Sequence, residues 1–252
     1  AVGATFNVAA YDGAYAGLYV EIGGEDTENT FNENYYDGIQ GNVLSNGSGS
    51  EADFQLDIEA DSSTDYFSAS ENGTSGFGSG VTVFTYVEDG GYAQSEIDID
   101  GQGYAYFNYN ATYGIESYLY MDGSASSAYL QVDVYGAEVN GNGSTGIYVD
   151  AYLLGGDEVS INVDLNDVQL YDNGDDGFYL EVDSDNVDDV YVDVSMTDVQ
   201  ATYNGDDGID FDFEIEDGDS ADIYIDLTDV TASNNSGDGL QIDANFEDVD
   251  DI

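Results

Sequence analysis

Apolar and polar residues alternate in short runs through the last hundred residues of the chain. Three runs, at 161–165, 168–170 and 178–182, have apolar side chains at every second position and polar ones between them. This period of two is typical of β-strands, and the 3.6-residue period of an amphipathic helix is absent from the sequence. The apolar positions of this copy, which recur 31 and 62 residues later, are Ile161, Val163, Leu165, Val168, Leu170, Phe178, Leu180 and Val182.

The same unit recurs along most of the chain. A glycine followed by a large apolar residue marks each copy, at spacings of 38, 38, 32, 31, 31 and 31 residues. Gly17-Leu18 is a further, degenerate copy in this interpretation. The seven marker glycines are Gly38, Gly76, Gly114, Gly146, Gly177, Gly208 and Gly239.

A unit of about 31 residues with three short strands cannot bury its apolar positions alone, but stacked copies can. We therefore predict an all-β fold, a right-handed parallel β-helix in which each strand pairs with its equivalent one coil away at ~4.8 Å. Residues 1–30 are expected to form an irregular coil or cap, 31–145 longer coils with a loop at 45–50, and 146–252 regular coils. The last strand would have a bare edge, so we expect another repeat or subunit to follow it.

An asparagine stands four residues before every marker glycine. In stacked coils these residues occupy one corner, where asparagine tolerates the left-handed conformation and its amide can bond the coils above and below. We interpret them as a structural ladder rather than a reactive site. Its members are Asn34, Asn72, Asn110, Asn142, Asn173, Asn204 and Asn235.

These anchors, with corners such as 233–240, make residues 30–252 resemble the right-handed parallel β-helix superfamily. That superfamily includes pectate-lyase-like carbohydrate enzymes, phage tailspikes and bacterial surface proteins. The resemblance implies the architecture strongly. It implies little about function, because lyases, hydrolases, adhesins and inert spacers share this fold.

Composition excludes many functions. The 252 residues include 55 carboxylates and no Lys, Arg, His or Cys, which gives a formal net charge of -55. Nothing can neutralise phosphates, so we expect no nucleic-acid partner. Thiol and imidazole catalysis and Cys/His metal sites are also excluded. No stretch approaches 18 consecutive apolar residues, so we expect no membrane insertion.

The carboxylates are densest in the most regular part, where 31 of the 55 lie within residues 157–252. Stacking brings like charges close together, so the ladders require divalent cations, high salt or low pH. Oxygen ligands favour Ca²⁺, and we predict calcium as a bound ion although the chain has no EF-hand loop. The predicted ligands form three columns: Asp167, Asp198 and Asp229; Asp176, Asp207 and Asp238; and Glu181, Asp212 and Asp243.

Two further features concern the surface. Asn46 and Asn234 stand in Asn-x-Ser/Thr sequons outside the asparagine ladder and are the predicted glycosylation sites. The chain has 23 tyrosines, and some fall on outward strand positions where a sugar or a neighbouring filament could stack. The tyrosines considered are Tyr148, Tyr179, Tyr191 and Tyr224.

A catalytic role would have to use carboxylates alone. The doubled aspartates Asp175-Asp176 and Asp206-Asp207 recur in successive units, which is typical of architecture rather than of one active site. We therefore expect no enzyme. The leading hypothesis is an extracellular or cell-surface structural or adhesive β-solenoid, a stalk, adhesin segment or filament subunit, that stacks end to end on copies of itself or on adjoining repeats. The alternative is a polysaccharide-binding or polysaccharide-cleaving β-helix.

Overall fold

The computed structural model describes residues 2–23, 28–60, 65–74, 76–123 and 126–252, and these form a parallel β-helix. The described residues contain eighteen strands and no helix. No described segment is therefore a helix that could cross a membrane. The strands are β1 (Ala4–Tyr11), β2 (Tyr15–Ile22), β3 (Glu28–Thr30), β4 (Ile39–Asn46), β5 (Glu51–Glu59), β6 (Tyr66–Ser68), β7 (Val81–Glu88), β8 (Tyr92–Tyr106), β9 (Ile115–Asp122), β10 (Ser127–Glu138), β11 (Ile147–Asn166), β12 (Gln169–Tyr171), β13 (Phe178–Thr197), β14 (Gln200–Thr202), β15 (Ile209–Glu216), β16 (Ser220–Thr228), β17 (Thr231–Ser233) and β18 (Leu240–Glu247).

Three stacks of parallel strands make up the walls. The first stack contains β1, β4, β7, β9, the first half of β11, the first half of β13, β15 and β18. The second contains β2, β5, residues 92–100 of β8, residues 127–135 of β10, the second halves of β11 and β13, and β16. The third is short and includes β3, β6, β12, β14 and β17. Every coil therefore has three strand segments, as the sequence predicts.

The core lies inside the coils and follows the alternation of the sequence. Inward side chains such as Ile161, Val163, Phe178 and Leu180 are buried, and their register partners one coil away are the residues 31 positions later. The predicted segments at 161–165, 168–170 and 178–182 lie within or beside β11, β12 and β13. Strands are longer than predicted because polar residues that bend round a corner, as at 155–158, still pair with the next coil.

Two of the predicted marker glycines, Gly76 and Gly17, are wrong, and the first is misplaced by an insertion. Val81, not Phe77, pairs with Ile39 and Ile115, so Gly80 occupies the corner and Phe77 is 73% exposed. The corner from 72 to 80 is four residues longer than the corner from 34 to 38, and the insertion moves the marker away from Gly76.

The first coil also begins earlier than the marker pattern predicts. Ala4 pairs with Ile39, whereas Leu18 pairs with Phe54 in the second stack, so Gly17-Leu18 is not a further marker. β1 and β2 both stack in regular register on the second coil. The proposed loop at 45–50 is shorter than predicted, since residues 45 and 46 end β4 and only 47–50 form the turn.

Candidate metal centre

The asparagine corner is a continuous line of hydrogen bonds through seven coils. Each side-chain amide Nδ2 donates to the Oδ1 of the next asparagine at 2.9–3.1 Å. Each backbone N–H donates to the same Oδ1 at 2.9–3.1 Å. Asn173 and Asn204 also donate from Nδ2 to the carbonyls of Val139 and Leu170, so these two amides use all their donors and acceptors within the wall, which fits a structural role.

A second ladder runs beside it and is made of aspartates. Asp176 Oδ1 accepts the backbone N–H of Asp207 at 2.9 Å, and Asp207 Oδ1 accepts the backbone N–H of Asp238. Asp176 is only 9% exposed and Asp207 only 6%. The structure thus brings the three predicted ligands of this column together at consecutive coils, with one oxygen of each interior carboxylate committed to the backbone.

Next to this ladder lies the tightest carboxylate group among the described residues. Oxygens of Asp175, Asp176 and Asp206 all lie within 4.8 Å of one another, and Asp175 and Asp206 are exposed. Asp175 and Asp206 are not among the ligands predicted from the sequence, although the doubled aspartates are evident there. A set of oxygen ligands without nitrogen or sulfur suits a hard cation such as Ca²⁺. We call Asp175, Asp176, Asp206 and Asp207 the aspartate corner.

Burial makes ionisation of this corner unfavourable. Desolvation, with electrostatic repulsion from neighbouring carboxylates such as Asp175 as a further cause, raises the pKa of Asp176 to about 6. Desolvation, with the charges of Asp176 and Asp207 next, raises the pKa of Asp210 to about 7. Asp210 Oδ1 is also buried without a hydrogen-bond partner among the described residues. Because the sequence holds no cationic side chain, only a proton or a bound cation can neutralise these groups.

The other two predicted columns are arranged differently. Glu181, Asp212 and Asp243 are direct register partners on the outer face of the first stack. Asp167, Asp198 and Asp229 are exposed corner residues with left-handed φ angles of 53–55°. Among the nine predicted ligands, only Asp176 belongs to the carboxylate group described above.

A further acidic row, not predicted from the sequence, lies on the second stack. Asp57, Asp98, Asp133 and Asp164 are register partners on four consecutive coils of the second stack. Burial is the first cause that raises the pKa of Asp98 and of Asp133. Their common context, an aspartate before an aliphatic residue, is present in the sequence, but the unequal coil lengths in this half hid the alignment.

The predicted glycosylation sites differ in accessibility. Asn46 ends β4, and its amide Nδ2 donates to Glu88 Oε2 at 2.6 Å. Asn234 is exposed at a corner with φ of 61°. Asn234 is therefore the more open of the two sequons, and its occupancy stays a prediction.

Tyrosines pair across coils on the outer faces. Tyr113 and Tyr148 stack with ring centres 4.6 Å apart and planes at 14°, and Tyr148 stacks in turn on Tyr179 at 5.6 Å. Tyr191 and Tyr224 meet at 5.8 Å with planes at 46°. The first group is half-buried, whereas the second pair is exposed.

An open cleft lies on the outer face of the second stack near the first coil. Tyr15, Gly17 and Tyr19 line this cleft of about 390 Å³, and the Tyr15 hydroxyl lies against Gly17, where a Cβ atom would meet it at 2.6 Å. Asp53, Gln55, Gln94 and Glu96 are among the residues that line the cleft.

Comparison with known proteins finds no significant match. The sequence matches no family model, and it has no significant match among curated proteins or solved structures.

Proposed function

We propose that this chain is a non-catalytic structural or adhesive β-solenoid that works outside the cell or on its surface and that holds Ca²⁺ at the aspartate corner. The observation that carries the proposal is the stacking of carboxylates on consecutive coils in a sequence with no cationic side chain. A chain built in this way needs an external counter-ion, and a rigid rod of repeated coils suits a stalk, an adhesin segment or a filament subunit.

The charge argument has a definite size. Two ionised carboxylates one coil apart, at ~4.8 Å, repel by about 3.5 kcal/mol at an effective dielectric constant of 20. Repeated over several coils, this repulsion competes with a folding free energy of only ~5–15 kcal/mol. A divalent cation shared by Asp175, Asp176 and Asp206 would replace that repulsion by attraction.

Repetition supports a non-catalytic role. The doubled aspartates of the corner occur in two consecutive coils, at 175–176 and 206–207, and the backbone bonds to Asp176 and Asp207 hold the coils together. These carboxylates therefore already have a role in the wall of the solenoid.

Stacking of copies or adjoining repeats is supported by the last coil. Leu240 and Ile242 of β18 and nearby Ile252 are exposed, although the equivalent residues of inner coils are buried. An additional coil, from adjoining sequence or from a second copy, would cover them and pair with the free edge of β18.

The metal proposal is tested by thermal unfolding followed by circular dichroism in EDTA and in Ca²⁺. The corner variant, Asp175→Asn with Asp206→Asn, removes two exposed ligands. The matched control, Asp167→Asn with Asp198→Asn, removes the same charge from exposed corners of the same two coils. We expect Ca²⁺ to raise the melting temperature of the native chain and of the control, but much less that of the corner variant.

Three results would contradict the proposal. An equal gain in both variants would mean general screening, and no gain in any of them would mean that calcium does not bind. A melting temperature that 2 M NaCl raises as much as millimolar Ca²⁺ would assign the neutralisation to salt.

A second candidate function, polysaccharide binding, is favoured by the cleft at Gly17. Aromatic rings flanking amide and carboxylate groups supply both the apolar face and the hydrogen bonds that a sugar ring requires. Titration calorimetry with neutral and acidic polysaccharides tests this function. Tyr19→Ala should abolish binding, whereas Tyr11→Ala, at an exposed position outside the cleft, should not. Equal binding by both variants, or none by the native chain, would exclude the cleft.

A further inference from the structure

The composition draws attention to tyrosine as a side chain for oxidative cross-linking. Without cysteine or lysine, the chain can form neither disulfides nor amide or aldehyde cross-links through side-chain amines, whereas it has 23 tyrosines. Phenols couple oxidatively through a carbon–carbon bond between ring carbons next to the hydroxyl. The question is whether the fold holds any two rings in the required arrangement.

Geometry separates the tyrosine pairs. The new bond lies in the plane of both rings, so two rings must meet edge to edge with tilted planes and cannot be stacked face to face. Tyr171 and Tyr203 have ring centres 5.3 Å apart with planes at 56°, and Tyr191 and Tyr224 have 5.8 Å and 46°. Tyr113 and Tyr148, with planes at 14°, have the wrong arrangement.

Among the described tilted tyrosine pairs that join neighbouring coils, both rings are exposed only in these two. Tyr35 and Tyr36 are also tilted and exposed, but they are adjacent in the sequence and join no coils. The exposed fractions are 45% and 53% for Tyr171 and Tyr203, and 36% and 55% for Tyr191 and Tyr224, so an oxidant can reach all four rings. The backbones are held in place because Tyr171 pairs with Thr202 and Tyr191 with Asp222 in parallel ladders.

One pair also has a proton acceptor in place. The Tyr191 hydroxyl donates a hydrogen bond to Asp193 Oδ2 at 3.1 Å. When an electron leaves the ring, the phenolic proton can pass to this carboxylate, which is the arrangement expected of a general base.

We propose that Tyr171–Tyr203 and Tyr191–Tyr224 are sites of oxidative cross-linking, at which a peroxidase using hydrogen peroxide joins consecutive coils by dityrosine bonds. Each phenol loses one electron and its hydroxyl proton, and the two phenoxyl radicals form one carbon–carbon bond. The hydrogen on each bonded carbon then moves as a proton to the oxygen, which restores both phenols. The two electrons and two protons released reduce one hydrogen peroxide to two waters.

Such bonds would link the most acidic coils covalently. They close loops of 32 and 33 residues, by the separation of the partners in the sequence, and restrict the unfolded chain in the way that a disulfide does. The proposal goes beyond the structural function proposed above and does not depend on calcium.

The test treats the dilute 252-residue chain with hydrogen peroxide and a haem peroxidase. Dityrosine fluorescence and intact mass give the yield, since each bond removes two hydrogens. Cleavage at Asp and Glu followed by mass spectrometry locates the bonds. We expect monomers that contain 171–203 and 191–224 cross-links and that melt at a higher temperature than untreated protein.

Variants make the result specific. Tyr203→Phe should remove the first bond and Tyr224→Phe the second, whereas Tyr148→Phe, from the stacked group, should leave both. Circular dichroism of each variant checks that it is folded before oxidation. Cross-links that map to the stacked tyrosines, cross-links only between molecules, or an undiminished yield in the Tyr203→Phe, Tyr224→Phe double variant would overturn the proposal.

Discussion

Replacing one asparagine in the middle of the ladder should destabilise the solenoid strongly. Asn173 Oδ1 accepts two hydrogen bonds from Asn142, one from the backbone N–H at 3.1 Å and one from the side-chain Nδ2 at 3.0 Å. Its own Nδ2 donates to Asn204 Oδ1 and to the carbonyl of Val139, both at 3.1 Å. Asn173→Ala therefore removes the partners of two donors and one carbonyl in a corner where the residues are almost completely buried.

The magnitude follows from the groups left without partners. At about 1–3 kcal/mol for each of these three buried groups, the free energy of unfolding should fall by roughly 3–9 kcal/mol. Asn34→Ala is the matched control, because Asn34 is the first residue of the ladder, is half-buried, and donates only to Phe31 O and Asn72 Oδ1. Its loss should be about 1 kcal/mol or less, since water can reach this corner.

Urea unfolding followed by far-ultraviolet circular dichroism measures both losses, and amide hydrogen exchange shows where the structure opens. In Asn173→Ala we expect faster exchange at the corners of the neighbouring coils. Equal losses for the two variants, or a loss below 1 kcal/mol for Asn173→Ala, would refute the view that the ladder is a buried and fully paired network.

Two further predictions concern titration and interior hydroxyls. Burial, the first cause in each case, raises the pKa of Glu116 and of Asp210 to about 7, so in the folded state they hold protons that the unfolded chain releases near pH 4. The free energy of unfolding should therefore be greatest near pH 4 and fall between about pH 4 and pH 7. The fall should be smaller in Glu116→Gln. Melting temperatures that stay constant or rise over this range would contradict the prediction. Ser184 Oγ is buried without a described partner, whereas Ser50 Oγ donates to Asn46 O and accepts the N–H of Gly13. In urea titrations, Ser184→Ala should leave the free energy of unfolding unchanged or raise it, whereas Ser50→Ala should lower it by about 1–3 kcal/mol. The reverse order would contradict the hydrogen bonding described for the two hydroxyls.

Local pattern was sufficient to predict the architecture. The alternation around Ile161 and Phe178 specifies which side of each strand faces inward, and the constant 31-residue spacing specifies which residues pair across coils. The ladder amides from Asn142 to Asn235 follow from the same spacing, because equal coil lengths put equivalent residues at the same corner.

Only the tertiary structure decided what happens where coil lengths change. The four extra residues near Gly76 move the corner to Gly80, because Val81 and not Phe77 fills the place between Ile39 and Ile115 in the core. In the same way, the row containing Asp98 and Asp133 depends on register between unequal coils.

Burial and side-chain distance are the remaining quantities that the sequence leaves open. The sequence specifies that Asp175-Asp176 and Asp206-Asp207 recur, but not that three of their carboxylates converge within 4.8 Å. Nor does it specify that Tyr171 meets Tyr203 at a tilt while Tyr113 stacks on Tyr148. The physical reason is that a repeat determines backbone register, whereas rotamers, solvent access and charge at a corner depend on all the neighbours that the stacked coils bring together.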